Sequence, residues 1–237
     1  MYKGLRSPPP ASGWVLAARD AAALGGVAGT VRTSGGEAMT ATVTVAQKES
    51  VAALFARIEA AFARLDVAVN RAGGGRPPAP LCEWSVEAFD SAIAINLRGA
   101  FLCLREELSR MARQGGGAVV NVSSTAGEQG VAGLAGYVAG KYGLGGLTRV
   151  AALDYAAAGV RVNAVAPGPI LTDRLAAAVP LGRVGLVDEV AGAVVWLLSD
   201  AASFVTGTVL PVDGGRLAGV PAFATTAGRP SRQARSG

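Results

Sequence analysis

Residues 117–124 read GAVVNVSS. A short apolar run rich in β-branched residues, opened by glycine and closed by polar side chains, reads as a buried strand. A helical pattern follows over 137–157, and then a second run of the same kind, VRVNAVAP, at 160–167. Strand, helix and strand in this order form a βαβ unit, whose strands run parallel in a sheet covered on both faces.

The alternation continues in both directions. WVLAA at 14–18 reads as a strand, 20–33 as a helix and AMTATVTV at 38–45 as a strand. In SVAALFARIEAAF, Val51, Leu54, Phe55, Ile58 and Phe62 fall at helical spacing, with Ser50 as N-cap. DVAVN at 66–70 is a short strand running into the glycines of RAGGG, and a long helix is expected from about 85 to 111. DEVAGAVVWLLSD at 188–200 reads as a helix and GTVLPVDGG at 207–215 as a last strand, with no internal repeat. The chain has 237 residues, 51% of them hydrophobic and only 5% aromatic, so one domain with a core of Ala, Val and Leu is expected. That domain should span 14–216, between an irregular segment 1–13 and a basic, disordered tail 217–237.

Composition removes several kinds of chemistry. The chain has no histidine, which excludes Ser-His-Asp triads, Cys-His pairs and H-E-x-x-H zinc sites. Cys82 and Cys103 form no C-x-x-C pair and read as idle thiols rather than as metal ligands or a disulfide. No apolar run approaches the roughly 18 residues a membrane span needs. Lys3 and Arg6 are followed by prolines and polar residues where a signal peptide needs its apolar stretch, so a cytoplasmic protein is expected. The net charge of +5 sits at the ends: Lys3, Arg6, Arg216, Arg229, Arg232 and Arg235 have no acid beside them. Removing these six from the 22 basic residues leaves 16 against 17 acidic, a neutral body. The tail could touch phosphate or an acidic surface, but a solvated end is the favoured reading and a nucleic-acid partner is disfavoured.

Acid–base work must therefore fall to Tyr, Lys, Cys or a carboxylate. YVAGK places Tyr137 and Lys141 four residues apart, one turn apart on the same helix face. A phenol ionises near 10 in water, and a neighbouring ammonium in a partly desolvated site favours phenolate. The alternative is an exposed pair without function. Ser124, thirteen residues earlier, closes the strand 117–124, at the edge where open α/β sheets bind ligands. It reads equally well as a cap of the next turn. NRAGGG at 70–75 and APGPILT at 166–172 supply two more strand ends of small residues, and the three together outline a cleft.

These residues resemble the short-chain dehydrogenase/reductase family. The matching stretches are NRAG (70–73), IN (95–96), NVSS (121–124), YVAGK (137–141), RVNAVAPGPILT (161–172) and VDGG (212–215), together with PLGRVGLVDEVAGAVVWLLSD (180–200). The resemblance runs from about 13 to 215. It implies an α/β, Rossmann-like doubly wound parallel sheet and hydride transfer between NADP or NAD and a small-molecule carbonyl or alcohol. Tyr137 would exchange the proton with the substrate oxygen, Ser124 would hydrogen-bond that oxygen, and Lys141 would lower the Tyr137 pKa and hold the nicotinamide ribose. Asn96 would organise a water relaying protons to Lys141. Pro167, Gly168, Ile170 and Thr172 would surround the nicotinamide, and Asn70, Ala72 and Gly73 the adenosine side. A homodimer or homotetramer is implied as well.

NAD-preferring dinucleotide folds place a carboxylate at the end of the strand matched by 14–18. Here that place holds Ala18, followed by Arg19, which tilts the choice towards the 2′-phosphate of NADP. Arg19 as an ordinary surface residue is the other reading. Relatives also carry, ahead of that strand, a first strand, a TGxxxGxG loop and a helix, a unit of roughly 25–30 residues. Only thirteen residues precede Trp14, so the sheet is expected to lack its first strand and following helix, with the flanking strands 14–18 and 66–70 either pairing directly or standing apart. GGVAG at 25–29 falls inside a helix and does not replace the loop. Thr44 stands where relatives have an adenine-contacting Asp, Arg71 replaces a second Asn, and the segment 173–179 is shorter than the usual substrate lid. Two readings follow: an NAD(P)-dependent oxidoreductase, or a catalytically silent relative acting as a scaffold or oligomer partner.

Overall fold

The computed structural model describes residues 13–170 and 173–219. The expected alternation of strands and helices is present. Strand β1 (Trp14–Ala18) leads to α1 (Ala21–Thr33), whose N-terminus is capped by Asp20, and then to β2 (Ala38–Thr42). Helix α2 (Lys48–Ala61) is followed by β3 (Val67–Asn70). The long helix is broken into α3 (Val86–Ile93), a π-helical turn (Ala94–Arg98) and α4 (Gly99–Arg113). Strand β4 (Gly117–Val122), α5 (Ala135–Tyr155), β5 (Val160–Pro167), α6 (Val187–Leu198) and β6 (Val209–Val212) complete the order. The tail 220–237 and the segment 1–12 lie outside the described residues.

All strand pairs are parallel, but they form two sheets. β1 pairs with β2, while β3, β4, β5 and β6 form a second sheet in that order. No ladder joins β1 to β3 among the described residues, so of the two arrangements open to these strands, separation is the one adopted. The exposure agrees: Val67 and Val69 are 42% and 46% exposed and Trp14 48%. In a covered parallel sheet such strand residues would be buried.

Helix α4 holds the two sheets together. Its Leu102 and Cys103 join Val51, Leu54, Phe55 and Ile58 in a core beneath the first sheet. Its Leu104, Leu108 and Met111 pack with Val119 and Val162 beneath the second. Arg110 adds a bond from α4 to α2, with Nη2 3.0 Å from Glu59 Oε2 and its guanidinium over the Phe55 ring. Gln114 clamps Leu65 on both backbone groups, accepting from its N–H at 3.1 Å and donating to its carbonyl at 2.7 Å. On the far face, α6 covers Val120 and Val165 through Leu197.

One expected cap is not made. Helix α2 begins at Lys48 with Gln47 as N-cap, and Ser50 lies inside its first turn. The Ser50 hydroxyl instead accepts from the Thr44 backbone N–H at 3.0 Å, closing the turn after β2. No described helix is long and apolar enough to cross a membrane.

Candidate active site

Strand β4 ends where its backbone turns out of the sheet, and Ser123 and Ser124 begin a short 3-10 turn (Thr125–Gly127). Ser124 Oγ accepts from the Ala126 N–H at 3.1 Å, so this serine caps the turn, as one of its two readings required. Its half-buried hydroxyl still has its own proton to donate.

Tyr137 and Lys141 lie in the first two turns of α5. Tyr137 is half-buried, and Lys141 is 3% exposed. The Lys141 ammonium donates to the Val122 carbonyl at 2.8 Å and stands 5.7 Å from the centroid of the Tyr137 ring. Burial pulls the Lys141 pKa down from 10.5 to about 8.

Asn96 is fully buried in the π-helical turn, where one extra residue interrupts the helix. Such turns recur at functional positions because they turn a side chain away from the regular helical register. Asn96 Nδ2 donates to Gly74 O at 2.7 Å and Ala92 O at 2.9 Å, and Oδ1 accepts from Gly74 N at 3.1 Å. Gly140 lets α5 come this close, since a Cβ there would lie 2.7 Å from Asn96 Cβ. Gly73 completes the junction: its Cβ would stand 3.0 Å from Asn96 Oδ1 and 3.2 Å from Lys141 Nζ. Tyr137, Lys141, Asn96 and Gly73 thus meet at one point above the sheet.

The other expected residues divide by element. Pro167 ends β5, and Gly168 follows with its N–H on Val212 O at 3.0 Å; a Cβ on Gly168 would be 2.9 Å from Asp213 Cα. Ile170 forms an isolated parallel bridge with Gly185, and Thr172 lies outside the described residues. Asn70 ends β3, with Ala72 and Gly73 exposed in the loop beyond it. Ala18 and the exposed Arg19 end β1, on the other sheet.

A nicotinamide cofactor can be tested against this arrangement. The nicotinamide-ribose end fits: one of the three Lys141 donors is used by Val122, which leaves two for ribose hydroxyls, and Gly73 lets the loop pass close to Nζ. The pyrophosphate end has no equivalent in the first described βα unit. The N-terminus of α1 is filled by Asp20, whose carboxylate accepts from Ala22 N at 2.9 Å and Ala23 N at 3.1 Å. Gly25, Gly26 and Gly29 lie within α1 and cannot form a phosphate-binding turn.

Comparison with known proteins gives the same assignment. The sequence matches the family model described as Enoyl-(Acyl carrier protein) reductase over residues 11–216. Cis-4-hydroxycyclohexanecarboxylate dehydrogenase of Sinomonas cyclohexanicum is 46% identical over 200 residues, 80% of each chain. The chain belongs to the short-chain dehydrogenase/reductase family. Two solved structures show the fold shared by this dehydrogenase/reductase and its relatives. A short-chain type dehydrogenase/reductase from Mycobacterium marinum superposes with TM-score 0.81 at 28% identity, covering 86% of this chain and 85% of its own. Gluconate 5-dehydrogenase from Burkholderia cenocepacia, solved with NADP and tartrate, gives 0.82 at 32% identity, covering 87% and 86%. This dehydrogenase/reductase is accordingly an NAD(P)-dependent oxidoreductase.

One residue beneath the site escaped the sequence reading. Glu107 on α4 is 4% exposed and accepts from Asn70 Nδ2 at 2.9 Å. A charged residue in LREELSRMAR reads as part of a solvated face. Its spacing from Cys103, Leu104, Leu108 and Met111, all buried, is the signal that places it on the inner face.

Proposed function

We propose that this chain interconverts a small alicyclic secondary alcohol and its ketone, using NADP in preference to NAD. The observation that carries the reading is the meeting of Tyr137, Lys141, Asn96 and Gly73. A buried ammonium beside a tyrosine, with a glycine letting the loop 71–75 approach it closely, suits proton exchange at a substrate oxygen better than it suits packing. The bound cofactor supplies or accepts the hydride. Tyr137 holds the proton that the substrate oxygen gains or loses, Ser124 donates a hydrogen bond to that oxygen, and Lys141 fixes the ribose and the electrostatics around the phenol. Asn96 holds the loop 71–75 in place and orders the water on the Lys141 side. Pro167, Gly168 and Ile170 line the nicotinamide, and Asn70, Ala72 and Gly73 the adenosine end.

Arg19 beside Ala18, with no carboxylate at that strand end, supports the NADP preference, as does the NADP bound to the gluconate 5-dehydrogenase. The ring alcohol is drawn from the name of the hydroxycyclohexanecarboxylate dehydrogenase. Two further features belong to this reading. Among the described residues no strand or glycine-rich turn stands between β1 and β3 in the sheet, which leaves the two strands in separate sheets. The chain assembles as a homodimer or homotetramer, supported by the apolar face of α4 and α5, where Phe101, Val150 and Leu153 are 43%, 55% and 82% exposed.

The test is a fluorescence titration of the 237-residue chain with NADPH and NADH, followed by turnover with cyclohexanol-type substrates. Saturable binding tighter for NADPH is expected, with Tyr137→Phe losing at least about a hundredfold in turnover while still binding cofactor. Absence of binding at millimolar cofactor overturns the reading.

A further inference from the structure

A continuous chain of hydrogen-bonded polar groups runs beneath the site, and of its members only Asn70 has been given a part in cofactor binding. Glu107 Oε2 accepts from Asn70 Nδ2, and the same amide group donates to Asn121 Oδ1 at 3.1 Å. Asn121 Nδ2 donates to Thr148 Oγ1 at 3.0 Å, and the Thr148 hydroxyl donates to Leu144 O at 2.8 Å. Asn121 and Thr148 are fully buried, and Glu107 nearly so. The chain therefore ties α4, the ends of β3 and β4, and α5 together at the base of the cleft.

The polarity of these bonds is fixed from both ends. Asn121 offers Asn70 an acceptor because its own amide hydrogens face Thr148. Glu107 offers the second acceptor. Both hydrogens of the Asn70 amide are thereby committed, and its orientation is determined, leaving Oδ1 as its remaining acceptor. A leucine or alanine at 107 would leave one of those hydrogens buried without a partner. Asn70 is the last residue of β3, which pairs on one side alone among the described residues, and the residues after it, 71–75, are all exposed. Asn96 holds that loop at Gly74, so Asn70 and Gly74 are its two anchors.

A buried carboxyl is an expensive way to supply one acceptor. Burial pushes Glu107 up to about 7, with the Asn70 bond opposing the rise. An apolar residue would fill the same space without that desolvation cost but would forfeit the acceptor for Asn70, which ties the use of Glu107 to Asn70.

We propose that Glu107 is a positioning residue for cofactor binding: through Asn70 it fixes the start of the loop 71–75 that lines the adenosine side. The inference rests on the reading of Asn70, Ala72 and Gly73 as cofactor-lining residues. Glu107 touches neither substrate nor cofactor and acts entirely through the Asn70 amide.

The test compares Glu107→Gln with Glu107→Leu and Glu107→Met in the full chain. Gln keeps an acceptor for Asn70; Leu and Met keep the bulk without it. Amide hydrogen exchange over 68–76 is measured without cofactor, NADPH affinity by titration, and kcat and KM by turnover, with melting temperatures recorded for each variant. Leu and Met are expected to speed exchange at 71–75 and raise the NADPH Kd and KM about tenfold, the scale of one lost hydrogen bond of this kind. kcat at saturating cofactor should stay within about threefold, and Gln should stay close to the parent in every readout. Unchanged exchange and affinity in whichever apolar variant folds, or a Gln variant as impaired as Leu, overturns the proposal. If the parent chain binds no NADPH, the cofactor reading fails, and the exchange comparison still decides whether Glu107 fixes this loop.

Discussion

Asn96 and Gly74 are joined by a reciprocal pair of hydrogen bonds, side-chain amide to backbone carbonyl and backbone N–H to side-chain oxygen. One side chain thereby does for the loop 71–75 what a neighbouring strand would do. Asn96→Ala releases both bonds. Gly74 is exposed, so water replaces part of what is lost, and a stability loss of about 1 kcal/mol is expected. Turnover should fall more than tenfold, because Lys141 loses a fixed wall of its pocket. Thermal melts beside steady-state rates separate the two effects.

Gly73 and its neighbours offer a contrast within one loop. Gly73→Ala places a methyl against Asn96 Oδ1 and Lys141 Nζ, whereas a Cβ at Gly74 or Gly75 meets nothing within 4 Å. Gly73→Ala should cost roughly 1–2 kcal/mol and most of the activity, since neither neighbour can retreat from its buried hydrogen bonds. Gly75→Ala should change stability by less than about 0.5 kcal/mol. Equal effects at 73 and 75 would refute the crowding at Gly73.

Lys141 and Glu107 give opposite pH signatures. The Lys141 pKa is lowered from 10.5 to about 8 by burial, so the folded state binds fewer protons than the unfolded chain in that window. Its contribution to stability is at its least favourable below pH 8 and improves as pH rises towards 10.5. Lys141→Met should remove this slope, worth roughly 3 kcal/mol at about 1.4 kcal/mol per pH unit. Urea unfolding of parent and variant at pH 7.5 and about pH 10 reads the difference, and turnover should be lost at both.

Glu107 is raised from 4.5 to about 7, so here the folded state binds the extra proton. Stability falls as pH rises from 4.5 through 7, the window in which the carboxyl must ionise while buried. The neighbouring titratable groups on α4 are Cys103, whose thiol burial and the nearby carboxylates push up to about 12, and the ion-paired Glu106 and Arg110. Asn70, Asn121 and Thr148 contribute no charge. Glu107→Gln should flatten the stability curve between pH 5 and 7.5, and a slope equal to that of the parent would assign the titration to another group.

The β3 edge of the second sheet predicts self-association. Val67 and Val69 present apolar surface on a strand that is paired on one edge alone among the described residues, a combination that recruits other chains. Val67→Lys with Val69→Lys should reduce light scattering at high protein concentration while leaving the melting temperature within a few degrees. No change in scattering would place the association elsewhere, with the α4–α5 face the next surface to test.

Much of this was legible from local pattern. WVLAA and VRVNAVAP occur as strands with the expected bounds because apolar runs closed by turn residues have few alternatives. Tyr137 and Lys141 share a helix face because four-residue spacing requires it. What local pattern missed depended on contacts distant in sequence. Ser50 caps no helix because Thr44 claims its hydroxyl. The π-helical turn at Asn96 needs the facing Gly140 and Gly74 to stabilise it, and neither lies near it in sequence. Glu107 acquires its role from Asn70, 37 residues away.

The divided sheet also changes what a ligand must do. Arg19 stands on one sheet and Asn70 on the other, and between those sheets run side-chain contacts centred on α4 rather than backbone hydrogen bonds. The two strand ends are therefore positioned relative to each other by side-chain packing on α4, and by no backbone ladder among the described residues. A molecule that contacts both strand ends would add a second tie between them, beside the packing on α4.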